Sequence, residues 1–307
     1  MSTDICYFCG STQYKKISRH TFRGENFYLA QCLHCSLVYT IPRVSVQEAA
    51  HYYADYYGDR KPLVDRFLNR IRVRRVRRII RSGSILDVGC GTGSFLLCMH
   101  RLGWQTAGTE VSAAYRYTDL ARQGVHIQKG DLPLCSFPPR SFDVVTLWHV
   151  FEHLADPTAY LKKIHEILGA DGTLVIEVPN YASLQAGVGG AVWFHLDIPR
   201  HTMHLTPKTL SQFLLSAGFT VERTRSGSMF YDIFGEIQTL YNRCLRNQHV
   251  LFDLIGGRKR LRAHKRDVSI MFLLAPFVGV YAFFAFVLAT LLGRSGTILV
   301  YAKKATI

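Results

Sequence analysis

Two tight cysteine pairs stand near the N-terminus, Cys6-Tyr7-Phe8-Cys9 and Cys32-Leu33-His34-Cys35. Two residues between cysteines let both thiolates of one turn reach a single ion, and two such turns complete a tetrahedral shell of four sulfurs. That shell leaves no open coordination position, so the pattern predicts a structural Zn2+ in a zinc ribbon. Disulfides are the other use of four thiols. The opening MSTDICYFCG has neither a basic nor an apolar leader region, so no secretory context favours them. The remaining cysteines, Cys90, Cys98, Cys135 and Cys244, are scattered and read as small core fillers.

A second pattern is Ile85-Leu86-Asp87-Val88-Gly89-Cys90-Gly91-Thr92-Gly93. An apolar strand enters a glycine-rich turn that opens a helix, and glycine lets a ligand approach the backbone without Cβ interference. The dinucleotide fingerprint needs a third glycine where Ser94 stands, so this is D-x-G-x-G-x-G instead. It resembles the first motif of class I S-adenosylmethionine-dependent methyltransferases, and the resemblance runs from about residue 80 to the C-terminus. The resemblance implies that Gly89, Cys90, Gly91 and Gly93 form the cofactor turn, with Asp87 orienting it and the methionine end. It places Glu110 on both ribose hydroxyls, Asp131 near the adenine amino group, and Leu132 and Trp148 in the same cofactor site.

Methyl transfer from a sulfonium is an in-line displacement that mainly needs alignment, and a hydroxyl acceptor also needs a base. Histidine suits that task near neutral pH. Trp148-His149-Val150-Phe151-Glu152-His153-Leu154 with Asp156-Pro157 follows the fourth strand and resembles the corresponding stretch of ubiquinone-biosynthesis methyltransferases. Some of those hold a divalent cation with E-x-x-E-H, where this chain has His149-x-x-Glu152-His153. The alternative is that Glu152 and His153 cap the next helix and shape the pocket. Asp197-Ile198-Pro199-Arg200-His201-Thr202-Met203-His204 resembles a stretch of zinc-ribbon methyltransferases associated with polysaccharide and glycolipid synthesis. His201 is the preferred candidate base and His204 the second; structural roles for both are the alternative. Val178-Pro179-Asn180 is expected to line the same pocket.

The elements that must hold these residues alternate. Strands are expected at Ile85–Val88, Thr106–Thr109, His126–Gln128, Asp143–Leu147, Thr173–Val178, Thr220–Arg223 and Ile298–Ala302. Helices are expected at Ser94–Leu102, Ala113–Gln123, Ala159–Leu168 and Pro207–Ala217. This order predicts an α/β fold: a doubly wound, mostly parallel seven-stranded sheet, with ligands at the carboxyl ends of the strands. The segments read as a zinc ribbon over 1–40, a connector and basic helix over 41–82, a methyltransferase domain over 83–225 plus 296–307, and a helical insertion over 226–295. In the connector, Tyr52, Tyr53, Tyr56 and Tyr57 read as packing.

The chain of 307 residues is 48% hydrophobic, enough for one large core and a small one, and carries a formal charge of +15. The excess is local, at Arg60–Arg81 and Arg258–Arg266, and attracts anionic lipid, nucleic acid or phosphorylated substrates. The second cluster abuts Ile270–Gly293, a chargeless run of membrane-spanning length. Positive flanks mark the cytoplasmic side. A single span would strand the last strand across the membrane, so a break at Pro276 and Gly279, giving a re-entrant or monotopic segment, is the preferred expectation. A true span and a buried dimer helix are the others. The expected activity is methyl transfer, first O- and second sugar C-methylation, to a small-molecule, glycolipid or lipid-linked saccharide acceptor at the anionic membrane surface. The rivals are a zinc-ribbon RNA methyltransferase, disfavoured by the apolar run, and a non-catalytic membrane-bound scaffold, disfavoured by the intact glycine turn. The sequence leaves the oligomeric state open.

Overall fold

The computed structural model describes residues 4–44, 48, 51–52, 62–112, 117–226, 228–255 and 265–305. Tyr53, Tyr56, Tyr57, Arg60, the start of the expected helix at Ala113 and the basic run from Arg258 to His264 lie outside them. The chain forms two compact units. One comprises Met1–Asp59, Val178–Leu210 and Arg225–Leu299; the other comprises Arg60–Glu177, Ser211–Thr224 and Val300–Ile307. Residues 178–210, read from sequence as part of the methyltransferase segment, thus cluster with the ribbon and the insertion.

The second unit is built on the glycine-turn strand. Chain order gives α1 (Pro62–Arg77), β4 (Ser84–Val88), α2 (Ser94–His100), β5 (Gln105–Glu110), α3 (Thr118–Arg122), β6 (His126–Lys129), β7 (Phe142–Trp148), α4 (Pro157–Ile167), β8 (Leu168–Pro179), α6 (Pro207–Ser216), β10 (Phe219–Ser226) and β11 (Thr297–Lys304). The seven strands lie in the order β10-β11-β8-β7-β4-β5-β6. β4 runs parallel to β5 through Val88↔Thr109 and to β7 through Val88↔Leu147, so strand order reverses beside β4. Ile85, Leu86, Val144, Val145, Leu174 and Val175 are wholly buried, as strands covered on both faces require. β8 begins earlier than the expected Thr173, because a register shift opposite Phe142 and Val144 lets residues from Leu168 pair as well.

Local signals end the helices as chemistry dictates. Asp156 caps α4 by accepting from the Ala159 N–H at 3.0 Å, with Pro157 in the first turn. Glu152 and His153 do not cap it; they form a separate single turn, Phe151–His153. Thr206 accepts from the Thr209 N–H at 3.1 Å at the start of α6, and Gly218 follows that helix at φ +78°.

The first unit holds β1 (Tyr14–Phe22), β2 (Glu25–Cys32), β3 (Val38–Ile41), α5 (Leu184–Gly189), β9 (Met203–His204), α7 (Met229–Cys244), α8 (Val250–Ile255) and α9 (Lys265–Leu291). Its sheet is antiparallel in the order β1-β2-β3-β9, and the β1–β2 hairpin was not legible in the sequence. Leu29 and Val38 of this sheet share a buried cluster with Ala186, Trp193 and Leu196.

The expected break at Pro276 does not occur: α9 is one helix of 27 residues through that proline. An internal proline costs about 3 kcal/mol. A seam spaced by three and four residues offsets it, with Asp267, Met271, Ala282 and Ala289 buried and Leu274 and Val278 packed on the α7 cluster of Tyr241 and Leu245. The Tyr241 hydroxyl also donates to the Met271 carbonyl at 3.0 Å. The single span that would leave the last strand outside the sheet is excluded too, because β11 lies between β8 and β10.

Candidate active site

The glycine turn leaves β4 at its carboxyl end. Gly89 and Gly93 adopt φ +65° and +70°, where side chains are strained. A Cβ on Gly89 would lie 2.7 Å from Val150 Cγ2, and one on Gly93 2.5 Å from Leu120 Cδ1. Glu110, at the end of β5, holds the turn: one carboxylate oxygen accepts from the Gly91 N–H at 2.8 Å and the other from the Ser112 N–H at 2.9 Å. Each oxygen keeps a second lone pair, so the carboxylate can still accept from a diol. The Tyr117 hydroxyl donates to the Gly91 carbonyl at 2.7 Å, a partner that sequence reasoning missed.

Asp87 is buried and accepts from the Thr146 hydroxyl at 2.6 Å. Burial pushes its carboxyl up to about 7, with Glu110 adding to the rise and Thr146 and Arg72 opposing it. A buried acid this close to neutrality favours a cationic neighbour. Asp131 follows β6 and accepts from the Tyr160 hydroxyl at 2.6 Å. The Leu132 side chain is wholly buried, and Cys90 is buried with its thiol pushed up by the same burial. Trp148 packs edge-on against Phe95, with the Arg72 guanidinium 5.4 Å from its ring centroid.

Next to Trp148 lies a charged group only half read from sequence. His149 adopts φ +57°, a conformation that a non-glycine residue holds only where its surroundings impose it. Its N–H donates to the Glu177 carbonyl at 2.8 Å. Its ring nitrogens lie 3.6 Å from Glu152 Oε1 and 4.0 Å from Glu177 Oε2. Both glutamates are 1% exposed. Arg75 of α1 donates to Glu177 at 2.7 Å, so part of the negative charge is balanced inside the unit. Sequence reasoning reads Arg75 only as part of the Arg60–Arg81 cluster and misses Glu177. An acid inside an apolar strand and an arginine in a basic helix carry no local signal of pairing.

His201 and His204 belong to the other unit. His201 is buried, donates Nδ1–H to the His195 carbonyl at 2.7 Å, and holds Nε2 4.0 Å from Asp197 Oδ2. The preceding Arg200 forms a two-point ion pair with Asp197. Burial alone would raise the Asp197 carboxyl, but Arg200 holds it well below the usual carboxylate range. His204 sits in β9 with Nε2 3.1 Å from the Thr40 hydroxyl. That hydroxyl already donates to the His201 carbonyl at 2.7 Å, so His204 must donate and its Nε2 is occupied. Burial pushes its imidazolium form far below the ordinary value. His204 ties β9 to β3, and it is the burial disfavouring its protonated form, not the hydrogen bond, that argues against its candidacy as base. Asn180 is likewise spent on structure: it donates to the Ser295 carbonyl at 2.9 Å and accepts from the Ala182 N–H at 3.0 Å. The cavity shared by Pro179, Tyr181, His201 and His204 is only about 10 Å³, room for one water at most.

The four N-terminal thiols converge. Cys6 and Cys35 sulfurs are 3.4 Å apart, Cys9 and Cys32 sulfurs 3.5 Å, and all four lie within 4.8 Å of one another. No disulfide joins them. Thiolates tetrahedral about zinc at ~2.3 Å stand ~3.8 Å apart, so the donor set fits a zinc ribbon. The two knuckles fold alike, with Gly10 N–H to Cys6 O and Ser36 N–H to Cys32 O, each 3.1 Å, and left-handed Gly10 and Ser36.

A methyltransferase-domain family profile matches residues 56–224. The chain belongs to this methyltransferase family. It is 32% identical over 184 residues to a ubiquinone biosynthesis O-methyltransferase of Xanthomonas euvesicatoria, covering 55% of this chain and 75% of the relative. It is 29% identical over 208 residues to the protein of the same name from Cupriavidus pinatubonensis, covering 63% and 82%. Among solved structures, the 1,6-didemethyltoxoflavin-N1-methyltransferase of Burkholderia thailandensis aligns with a TM-score of 0.51 at 14% identity, over 94% of this chain and 100% of that one. A putative sarcosine dimethylglycine methyltransferase of Galdieria sulphuraria gives 0.52 at 13%, over 84% and 98%. These two show a shared fold. The protein is thus an S-adenosylmethionine-dependent methyltransferase of class I fold, with an N-terminal cysteine ribbon. The ribbon cysteines and the helices α7 to α9 lie outside the residues matched by the family profile.

Proposed function

We propose that this methyltransferase methylates a hydroxyl of a glycolipid, lipid-linked saccharide or other amphiphilic small molecule at the cytoplasmic face of a membrane. The observation that carries the reading is α9. It is long and apolar enough to cross a membrane, yet it remains one helix with Phe277 75% and Leu291 80% exposed. Water does not tolerate such a face in isolation. With β11 in the sheet after it, a monotopic helix lying in one leaflet reconciles both facts. The relatives named O-methyltransferases support oxygen as the acceptor atom.

S-adenosylmethionine supplies, when bound, an electrophilic methyl group on a sulfonium. Gly89, Cys90, Gly91 and Gly93 would give it a close backbone approach, with Asp87 countering its positive end. Glu110 would accept from the ribose, and Asp131, Leu132 and Trp148 would bound the adenine. His149 is the first choice of proton acceptor, because it stands at the end of β7 with two buried carboxylates 3.6 and 4.0 Å from its ring nitrogens. His201 is the second, because the His195 carbonyl anchors its Nδ1 and fixes the buried ring. Glu152 and His153 complete this polar edge. The four thiols would hold one structural Zn2+, which fixes the ribbon and takes no part in the transfer.

His149→Asn and His201→Asn, assayed against S-adenosylhomocysteine binding as a folding control, test the base. Removing it should lower kcat about 100-fold or more with cofactor affinity kept. Loss below about ten-fold in both variants refutes the assignment.

A further inference from the structure

A cavity of about 310 Å³ opens between α5, α7 and α9, wholly within the first unit. Its size is that of a small-ligand site. The α9 side is apolar, with Tyr281, Phe284, Leu288 and Ala289 in the wall, and Leu184 and Val188 of α5 face them. The opposite end is polar. Gln185, Asp232 and Glu236 line it, and all three are more than nine-tenths buried. Gln185 is fixed there, accepting from the Trp193 indole N–H and donating to the Asp232 carbonyl, each at 2.8 Å. Asp232 is fixed too, since one carboxylate oxygen accepts from the Thr297 hydroxyl at 3.1 Å, which itself accepts from the Ser228 N–H at 2.9 Å. Gly296 closes this end, where a Cβ would press on Asp232 Oδ1 at 3.0 Å.

Two carboxyl groups at the end of an apolar slot are out of place in a packing defect. Asp232 and Glu236 bring two buried carboxyl groups to one end, so the site offers oxygen acceptors to a hydrogen-bond donor and is a poor place for a further anion. The apolar wall belongs to the same helix that exposes Phe272, Phe277 and Phe283, so a chain lying in the leaflet can enter sideways. We propose that this pocket binds one single-chain amphiphile, its tail along α9 and a hydrogen-bond-donating head on Asp232, Glu236 and Gln185. This rests on the membrane-face reading above and deepens it by naming the class of membrane amphiphile the pocket takes: a single chain ending in a hydroxyl or an ammonium.

The test uses the full chain on phosphatidylcholine vesicles carrying a hexadecanol with a photoreactive diazirine in its tail. Saturable labelling is expected on the peptides bearing Tyr281, Phe284 and Leu288. Unlabelled hexadecanol or hexadecylamine should compete, and whichever competes better identifies the head as hydroxyl or ammonium. Hexadecyl sulfate, which offers only acceptors, should not compete. Ala285→Trp, which fills the slot from α9, and Glu236→Leu should each weaken labelling about ten-fold while vesicle sedimentation and S-adenosylhomocysteine binding persist. Equal competition by hexadecyl sulfate, or labelling unchanged in both variants, overturns the proposal. A wild type that sediments with vesicles but shows no saturable labelling overturns the pocket alone. One that stays in solution overturns the membrane-face reading first.

Discussion

Asp87 concentrates the electrostatic argument of the cofactor site. Its carboxyl sits near 7 in the folded protein because it is buried, against an ordinary 3.8. A raised acid adds stability at low pH, below its unfolded value, and that contribution is lost as pH rises through about 7. A sulfonium beside the ionised form would restore what is lost. The affinity for S-adenosylmethionine should therefore fall as pH is lowered from about 8 to 6, since the carboxyl must then give up a proton to pair. Asp87→Asn should bind more weakly and show a flat profile. Calorimetry giving the same slope for both proteins would dismiss Asp87 as the cationic partner. A buried ion pair elsewhere gives a second residue-scale expectation. Asp197→Asn leaves Arg200 half-satisfied and should cost about 3 kcal/mol in a denaturant titration. A loss under about 1 kcal/mol would mean that the pair is solvated in practice.

Elements differ in how openly the sequence declares them. The cysteine knuckles and the glycine turn are legible because ligand spacing and positive φ are local demands, met by Cys6-x2-Cys9 and by Gly89 and Gly93 in adjacent residues. The strand and helix alternation is legible because apolar runs such as Thr173–Val178 repeat at α/β intervals. Glu177 defeats local reading: its meaning comes from Arg75, 102 positions earlier, and from His149 just past the adjacent strand β7. Pro276 misleads for the opposite reason. A local helix breaker is outweighed by the seam of α9 on α7, a tertiary contact with no local trace. The ribbon yields its own test. Metal analysis should find about one zinc per chain, and chelation or Cys9→Ser should unfold the β1–β3 sheet, because binding and folding form one equilibrium. An intact ribbon without metal would make the four thiols merely buried neighbours.

At the scale of the molecule, apolar burial and charge act together. α9 offers a hydrophobic face, and the basic run from Arg258 to Arg266 leads into its first residues in sequence. Membrane attachment should survive high-salt washing, since apolar burial is not screened. Neutralising Arg258, Lys259, Arg260 and Arg262 should weaken binding to anionic vesicles more than to neutral ones, at roughly 1 kcal/mol per charge. Equal weakening on both would remove the electrostatic part of the account.

The central claim, methyl transfer to a membrane amphiphile, is tested most directly by giving purified protein tritiated S-adenosylmethionine and membranes from the cells that express it. The account predicts tritium in the organic extract, stable to alkali as an ether is, and absent with Gly91→Arg. Label recovered only in RNA or protein, or in no product while the cofactor still binds, would contradict it.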